Sequence, residues 1–259
     1  MSAVAESLPA LDLQHSRRIP LSRLIRVELR KMADTRAGMW LLIGIGVLTA
    51  AVMTIFLVNA VEADRTFMNF MGAAATPQGA LLPVLGILLV TSEWTQRTAL
   101  VSFTLEPVRS RLLTAKLFAA LLFGLAAVIV ALVIATGATA IGGNDTAWND
   151  VGAAEIGKFS LLQASSILQG LAFGMLILNS SGAIASFFIL PTALLIATSA
   201  WSVLADAAPW IVMGTASQPL SEVGALSGTD WAHLGVASLI WIALPLLAGL
   251  FRVLRKEVK

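Results

Sequence analysis

Three groups of residues in this chain are of types that do chemistry. Glu93 and Arg97, in EWTQR, stand four apart, the spacing of one helical turn. With a second glutamate before them and paired histidines on neighbouring segments, such residues would activate water for hydrolysis. Residue 92 is Ser, however, and the only histidines are His15 and His233. That inventory excludes the reaction. The second group is GAAEIGKF, 152–159, which falls one residue short of the phosphate-binding pattern G-x-x-x-x-G-K-[ST]. Phe159 stands where a hydroxyl must reach Mg²⁺, and no strand pattern precedes the loop, so the chain is expected to bind no nucleotide itself. The third group is the run KFSLLQASSILQGLAFGMLIL, where Gln163, Ser165, Ser166 and Gln169 interrupt an otherwise apolar stretch. Cysteine is absent, which removes disulfides, thiolate metal sites and cysteine nucleophiles; no metal site and no catalytic residue is expected.

The elements that must position these residues are membrane helices. Only 12% of residues are charged and mean hydropathy is +0.86, far from the quarter or so of charged residues in a soluble domain. Taking about 20 apolar residues per crossing, the spans fall near 39–60, 70–91, 117–140, 159–178, 183–204 and 234–251, with Pro77 and Pro83 expected to kink the second. The fold class is thus all-α integral membrane, with a single transmembrane domain over 21–259 after a tail at 1–20. The tail has no apolar core of the signal-peptide kind. Residues 21–36, LSRLIRVELRKMADTR, place Leu21, Leu24, Ile25, Leu29 and Met32 near helical spacing among basic residues, the pattern of an interfacial amphipathic helix. Residues 206–231 contain an apolar APWIVMG too short to cross, which predicts an outer hairpin, re-entrant or interfacial.

Six crossings put both termini on one side. Of the 17 Lys and Arg, fifteen lie before the first span, between the second and third, or after the last; Arg65 and Lys158 face the other way. The positive-inside rule places both termini in the cytoplasm, and gives the basic residues a topological purpose that needs no nucleic acid. The Ser166, Gly170 and Gly174 repeat is a small-xxx-small face for close helix packing. Gln163 and Gln169, with Ser166 and with Asn59 near the outer end of the first span, are also candidates for a substrate path or a dimer interface.

Residues 92–116, SEWTQRTALVSFTLEPVRSRLLTAK, carry six charges, too many to bury in lipid at about 2.5 to 3.5 kcal/mol each. The order is a Glu at the end of one span, a Glu/Arg turn, an apolar LVSFTL, a Pro-Val-Arg-Ser-Arg break, and a Lys positioned to snorkel from the next span. This arrangement resembles the membrane subunits of type-2 ATP-binding-cassette (ABC) exporters, through Glu93, Arg97, Thr98, Leu105, Pro107, Arg109, Arg111, Ala115 and Lys116. It departs where many members have Gly before the Thr and this chain has Arg97.

The resemblance implies a permease subunit at the plasma membrane. Two copies, or this chain with a related one, would form the pathway, and two separate ABC ATPase subunits would dock beneath and hold ATP and Mg²⁺. Residues 92–116 would then be the coupling segment. Glu93 and Arg97 would orient its helix, Pro107 would end it, and Arg109, Arg111 and Lys116 would anchor the third span at the headgroups. For each cation alone, topology marking explains its presence equally well. A secondary transporter is disfavoured because no span carries an acidic residue; a non-transporting scaffold stays open.

Overall fold

The computed structural model describes residues 19–255. The tail up to residue 18, with Arg17 and Arg18, lies outside them, as do Lys256 and Lys259. The chain is an all-α membrane protein: the described residues contain no strand, and six helices are long and apolar enough to cross a bilayer. An amphipathic helix α1 (Leu21–Asp34) precedes them, burying Leu24, Glu28 and Met32 on one stripe. The chain turns at Thr35, whose hydroxyl accepts from the Gly38 N–H and caps α2 (Arg36–Asn59), the first span. The elbow is tight, since a Cβ on Gly38 would stand 2.0 Å from the Met32 carbonyl oxygen.

The second span, α3 (Phe67–Thr95), is a continuous helix through both prolines, longer at each end than the apolar run indicated. The third, α5 (Arg109–Gly142), begins eight residues before the expected boundary. Residues 92–116 are therefore the end of α3, a turn, the short helix α4 (Ala99–Leu105), a break at 106–108 and the first two turns of α5. The fourth and fifth spans are α6 (Ala153–Ile177) and α7 (Ser180–Ala200), joined by Leu178 in the left-handed region and the capping side chain of Asn179.

The tightest pairing is α3 against α6. Ser166 Oγ lies 3.5 Å from the Gly79 carbonyl, and Cβ atoms on Gly170 and Gly174 would stand 2.1 and 3.0 Å from the carbonyls of Pro83 and Ile87. The partner numbers advance together, so the two helices run in the same direction, as the second and fourth spans of an up-and-down bundle must. Pro83 lacks an N–H, which frees the Gly79 carbonyl, and the Ser166 hydroxyl approaches that oxygen.

Short helices α8 (Ser202–Ala205), α9 (Ala208–Ile211) and α10 (Met213–Ser217) form the predicted hairpin before the last span, α11 (Gly228–Ser238) continuing through a π-turn into α12 (Leu244–Arg255). The hairpin folds down along the bundle. Val212, Met213 and Leu220 are buried, Met213 and Leu220 packing with Phe173, Leu234 and Trp241, and the Trp241 indole N–H donates to the Ile211 carbonyl at 2.6 Å. Trp241 lies roughly 20 Å along the span from Gly228 at 1.5 Å per residue, so Ile211 packs well down the side of the last span. Lys158, read from sequence as a stray outer cation, latches its return. Its ammonium donates to the carbonyls of Glu222 and Gly224 and pairs with Glu155 at 2.6 Å. Gly224 takes φ +116° there, a conformation open to glycine.

Candidate functional site

The charged residues of 92–116 meet α1 at the basic end of the bundle. Glu28 and Lys31 come from α1, Glu93 from the last turn of α3, Ser102 from α4 and Lys116 from the second turn of α5. Lys116 Nζ lies 2.5 Å from Glu28, 3.3 Å from Glu93 and 3.0 Å from the Leu89 carbonyl. Lys31 Nζ lies 2.8 Å from Glu28 and 2.6 Å from Glu93, and the Ser102 hydroxyl donates to Glu93 at 2.9 Å. Two cations and two carboxylates thus form a neutral network in which Glu28, Glu93 and Lys116 are nearly fully buried. Neutrality and multiple hydrogen bonds are what make such burial tolerable. The network also ties four separate helices to one another.

Burial disfavours the Lys31 ammonium, but Glu28 and Glu93 outweigh that effect and hold its pKa above the ordinary 10.5. The stability this contributes is complete below about 10.5 and is lost as pH rises through the raised value, so Lys31 does not titrate in the neutral range.

Two expectations for this segment are corrected by the geometry. Glu93 and Arg97 do not form a one-turn pair, because α3 ends at Thr95 and Arg97 enters the left-handed region at φ 58°. The chain turns outward at that point, Glu93 faces Lys31 and Lys116, and Arg97 is exposed with no ion pair among the described residues. The left-handed turn at Arg97 is the backbone that glycine adopts without cost. Lys116 does not snorkel to the headgroups. It turns inward, since Glu28 offers a closer counter-charge than the interface does.

The remaining residues act as connectors. Arg109 donates to the Val253 and Leu254 carbonyls at the end of α12 and stacks over Phe103 of α4 at 4.7 Å. Arg111 pairs with Glu106 at 2.9 Å and donates to the Ile19 carbonyl. Pro107 is exposed in the break between α4 and α5, and the Thr98 N–H donates to the Glu93 carbonyl at 2.9 Å in the turn before α4. Beneath α1 and α4 lies a cavity of about 410 Å³, reaching from Leu24 and Val27 to Val101, Leu105 and Leu112, with the network as its polar wall. Leu100, Val101 and Leu105 of α4 are exposed, Leu105 by 70%, and Val101 and Leu105 form the open edge of this cavity.

The other candidates are not gathered here. Asn59 is exposed and donates to its own helix at Ile55, whereas Gln163 and Gln169 are buried inside this chain and Ser166 faces α3. Sequence reasoning missed Glu28, Lys31, Ser102 and Glu106. The signal was present for one of them, because Glu28 interrupts the apolar stripe formed by Leu24 and Met32, where an unpaired charge would be costly. A search of protein-family models and of curated proteins finds no match to this chain.

Proposed function

We propose that this chain is the permease subunit of an ATP-driven ABC transporter working in the export direction. Two permease subunits, identical or related, would form the pathway, and ABC ATPase subunits carrying ATP and Mg²⁺ would dock against α4 on the cytoplasmic side of the plasma membrane. The observation that carries this reading is the placement of α4. It stands outside the spans with exposed apolar side chains, yet its Ser102 joins the buried network linking α1, α3 and α5. A push on α4 is therefore delivered to the ends of the second and third spans together. Packed elements with two discrete arrangements convert such a push into tilt, and ATP shifts the equilibrium only by binding one arrangement better.

The test is reconstitution with and without the ATPase subunit. The chain alone should hydrolyse no ATP, and hydrolysis should appear with the subunit. The double variant Val101→Ser, Leu105→Ser should lower the amount of docked ATPase at least fivefold with folding unchanged, because both side chains are exposed. Hydrolysis by the isolated chain, or full docking by the double variant, would reject the proposal.

A further inference from the structure

Four helices pack together in two apolar clusters at successive levels of the bundle. One apolar cluster gathers Ile45, Leu82, Ala127 and Ile167, and another gathers Met53, Ala74, Val128 and Phe159. Each pair comes from one helix: α2, α3, α5 and α6 in turn. The residues between the clusters are Thr49 on α2, Gln78 on α3 and Gln163 on α6, at 0%, 0% and 1% exposure. A polar layer therefore crosses the bundle between two apolar ones.

The register of α3 with α6 places Gln78 and Gln163 within about one turn of each other, both beside α5. Gln78 Nε2 donates to the Ala127 carbonyl at 2.9 Å, and the Gln163 backbone carbonyl oxygen lies 3.9 Å from where a Cβ on Gly124 would stand. The layer is far from satisfied. Among the described residues, both amide atoms of Gln163, the Gln78 Oε1 and the Thr49 hydroxyl have no hydrogen-bond partner. Burying such groups unpaired is costly, and most severely so in a bundle that has lipid around it.

At the layer α5 presents Gly124 and Ala127 beside the larger Val128, and the nearest atom to a Cβ on Gly124 would be at an ordinary 3.4 Å. By contrast, α3 and α6 are interlocked at 2.1 Å. Small sliding of packed helices is an established mode of conformational change, and the looser contact at Gly124 is where α5 can give. No Asp, Glu, Lys or Arg lies in the layer, so charge is not what it would recognise.

Resting on the transport reading above, we propose that this layer is a binding site for uncharged hydroxyl or amide groups of the transported molecule, opened by a shift of α5 against the α3–α6 pair. Gln163 supplies a donor and an acceptor, Gln78 an acceptor, and Thr49 a hydroxyl that serves as either. Because α5 also carries Lys116, movement at α4 reaches the layer through one helix.

The native chain has no cysteine, so single cysteines can be read without background. Cysteine is placed at Thr49, a near-isosteric change, at Gln163, and at Ile167 as an equally buried apolar control. Each variant, reconstituted alone in vesicles, is treated with neutral 2-hydroxyethyl methanethiosulfonate and with its propyl analogue. The expected result is hydroxyethyl modification at 49 and 163 at least tenfold faster than at 167, with the propyl reagent showing no such preference. Adding Gln163→Leu to the Thr49→Cys variant should slow hydroxyethyl modification at least fivefold. Equal rates at 49 and 167, or no effect of Gln163→Leu, would overturn the proposal. No ATPase is present in this measurement, so its failure leaves the docking of α4 standing, and failure of docking leaves this result standing.

Discussion

Replacing Lys116 with Met should destabilise the fold by about 3 to 5 kcal/mol, the cost of removing one partner from a buried ion pair. The methionine fills the same space, but Glu28 and Glu93 are left facing each other with Lys31 as their one remaining counter-charge among the described residues, and Lys31 is half-buried at the edge. The measurement is thermal unfolding in detergent beside two comparisons. Arg97→Ala should be nearly silent, because an exposed cation with no ion pair among the described residues contributes little. The double variant Glu28→Gln, Lys116→Met should recover a large part of the loss, since neutrality is restored. Coupling between the two positions is what separates a network from two independent contacts. A Lys116→Met variant as stable as the parent would mean that the network does not hold α1 to α5.

The six spans, the amphipathic helix before them and the short helix between the second and third were legible from apolar run length and from the clustering of charge. The apolar run of the second span is short and holds Pro77 and Pro83, which were expected to kink it, yet α3 runs through both as one helix. The reason is tertiary: the carbonyl that Pro83 frees and the glycines of α6 meet, and that pairing is invisible until two distant segments are set side by side. The site was legible in part. Glu93, Arg109, Arg111 and Lys116 were picked out because charge beside a span demands explanation. Their partners were not, because Glu28 and Lys31 precede the first span and no local spacing relates them to residue 93 or 116. The Glu93–Arg97 pairing failed for a local reason, a helix ending at Thr95 followed by a left-handed residue. Gln163 was singled out as a polar residue in a span, but its layer with Thr49 and Gln78 emerges only from packing.

The second large effect concerns that α3–α6 pairing. Gly170→Ala should cost at least the upper end of the range of about 1 to 3 kcal/mol for overpacking. The added methyl would stand 2.1 Å from the Pro83 carbonyl oxygen and 2.5 Å from its Cα, and backbone cannot swing aside as a side chain does. The helices must separate, which also loosens the contacts of Gly86 with Ile167 and of Gly174 with Ile87. Gly46→Ala is the control, because nothing lies within 4 Å of its added Cβ. It should be neutral or stabilise by about 0.5 to 1 kcal/mol through helix propensity. Folded yield after extraction and unfolding temperature both read the difference. Equal behaviour of the two variants would place the close approach of α3 and α6 in error.

The central claim is that α4 is where an ATPase meets this chain. A photoreactive benzophenone side chain at Leu105, on the exposed face of α4, tests it most directly when irradiated in intact cells and followed by mass spectrometry of the cross-linked partner. The account predicts a cross-link to a polypeptide carrying a G-x-x-x-x-G-K-[ST] loop, and none from a matched benzophenone at Ile141, which is exposed at the far end of α5. Cross-links from position 105 to lipid alone, or to a second copy of this chain alone, would contradict it.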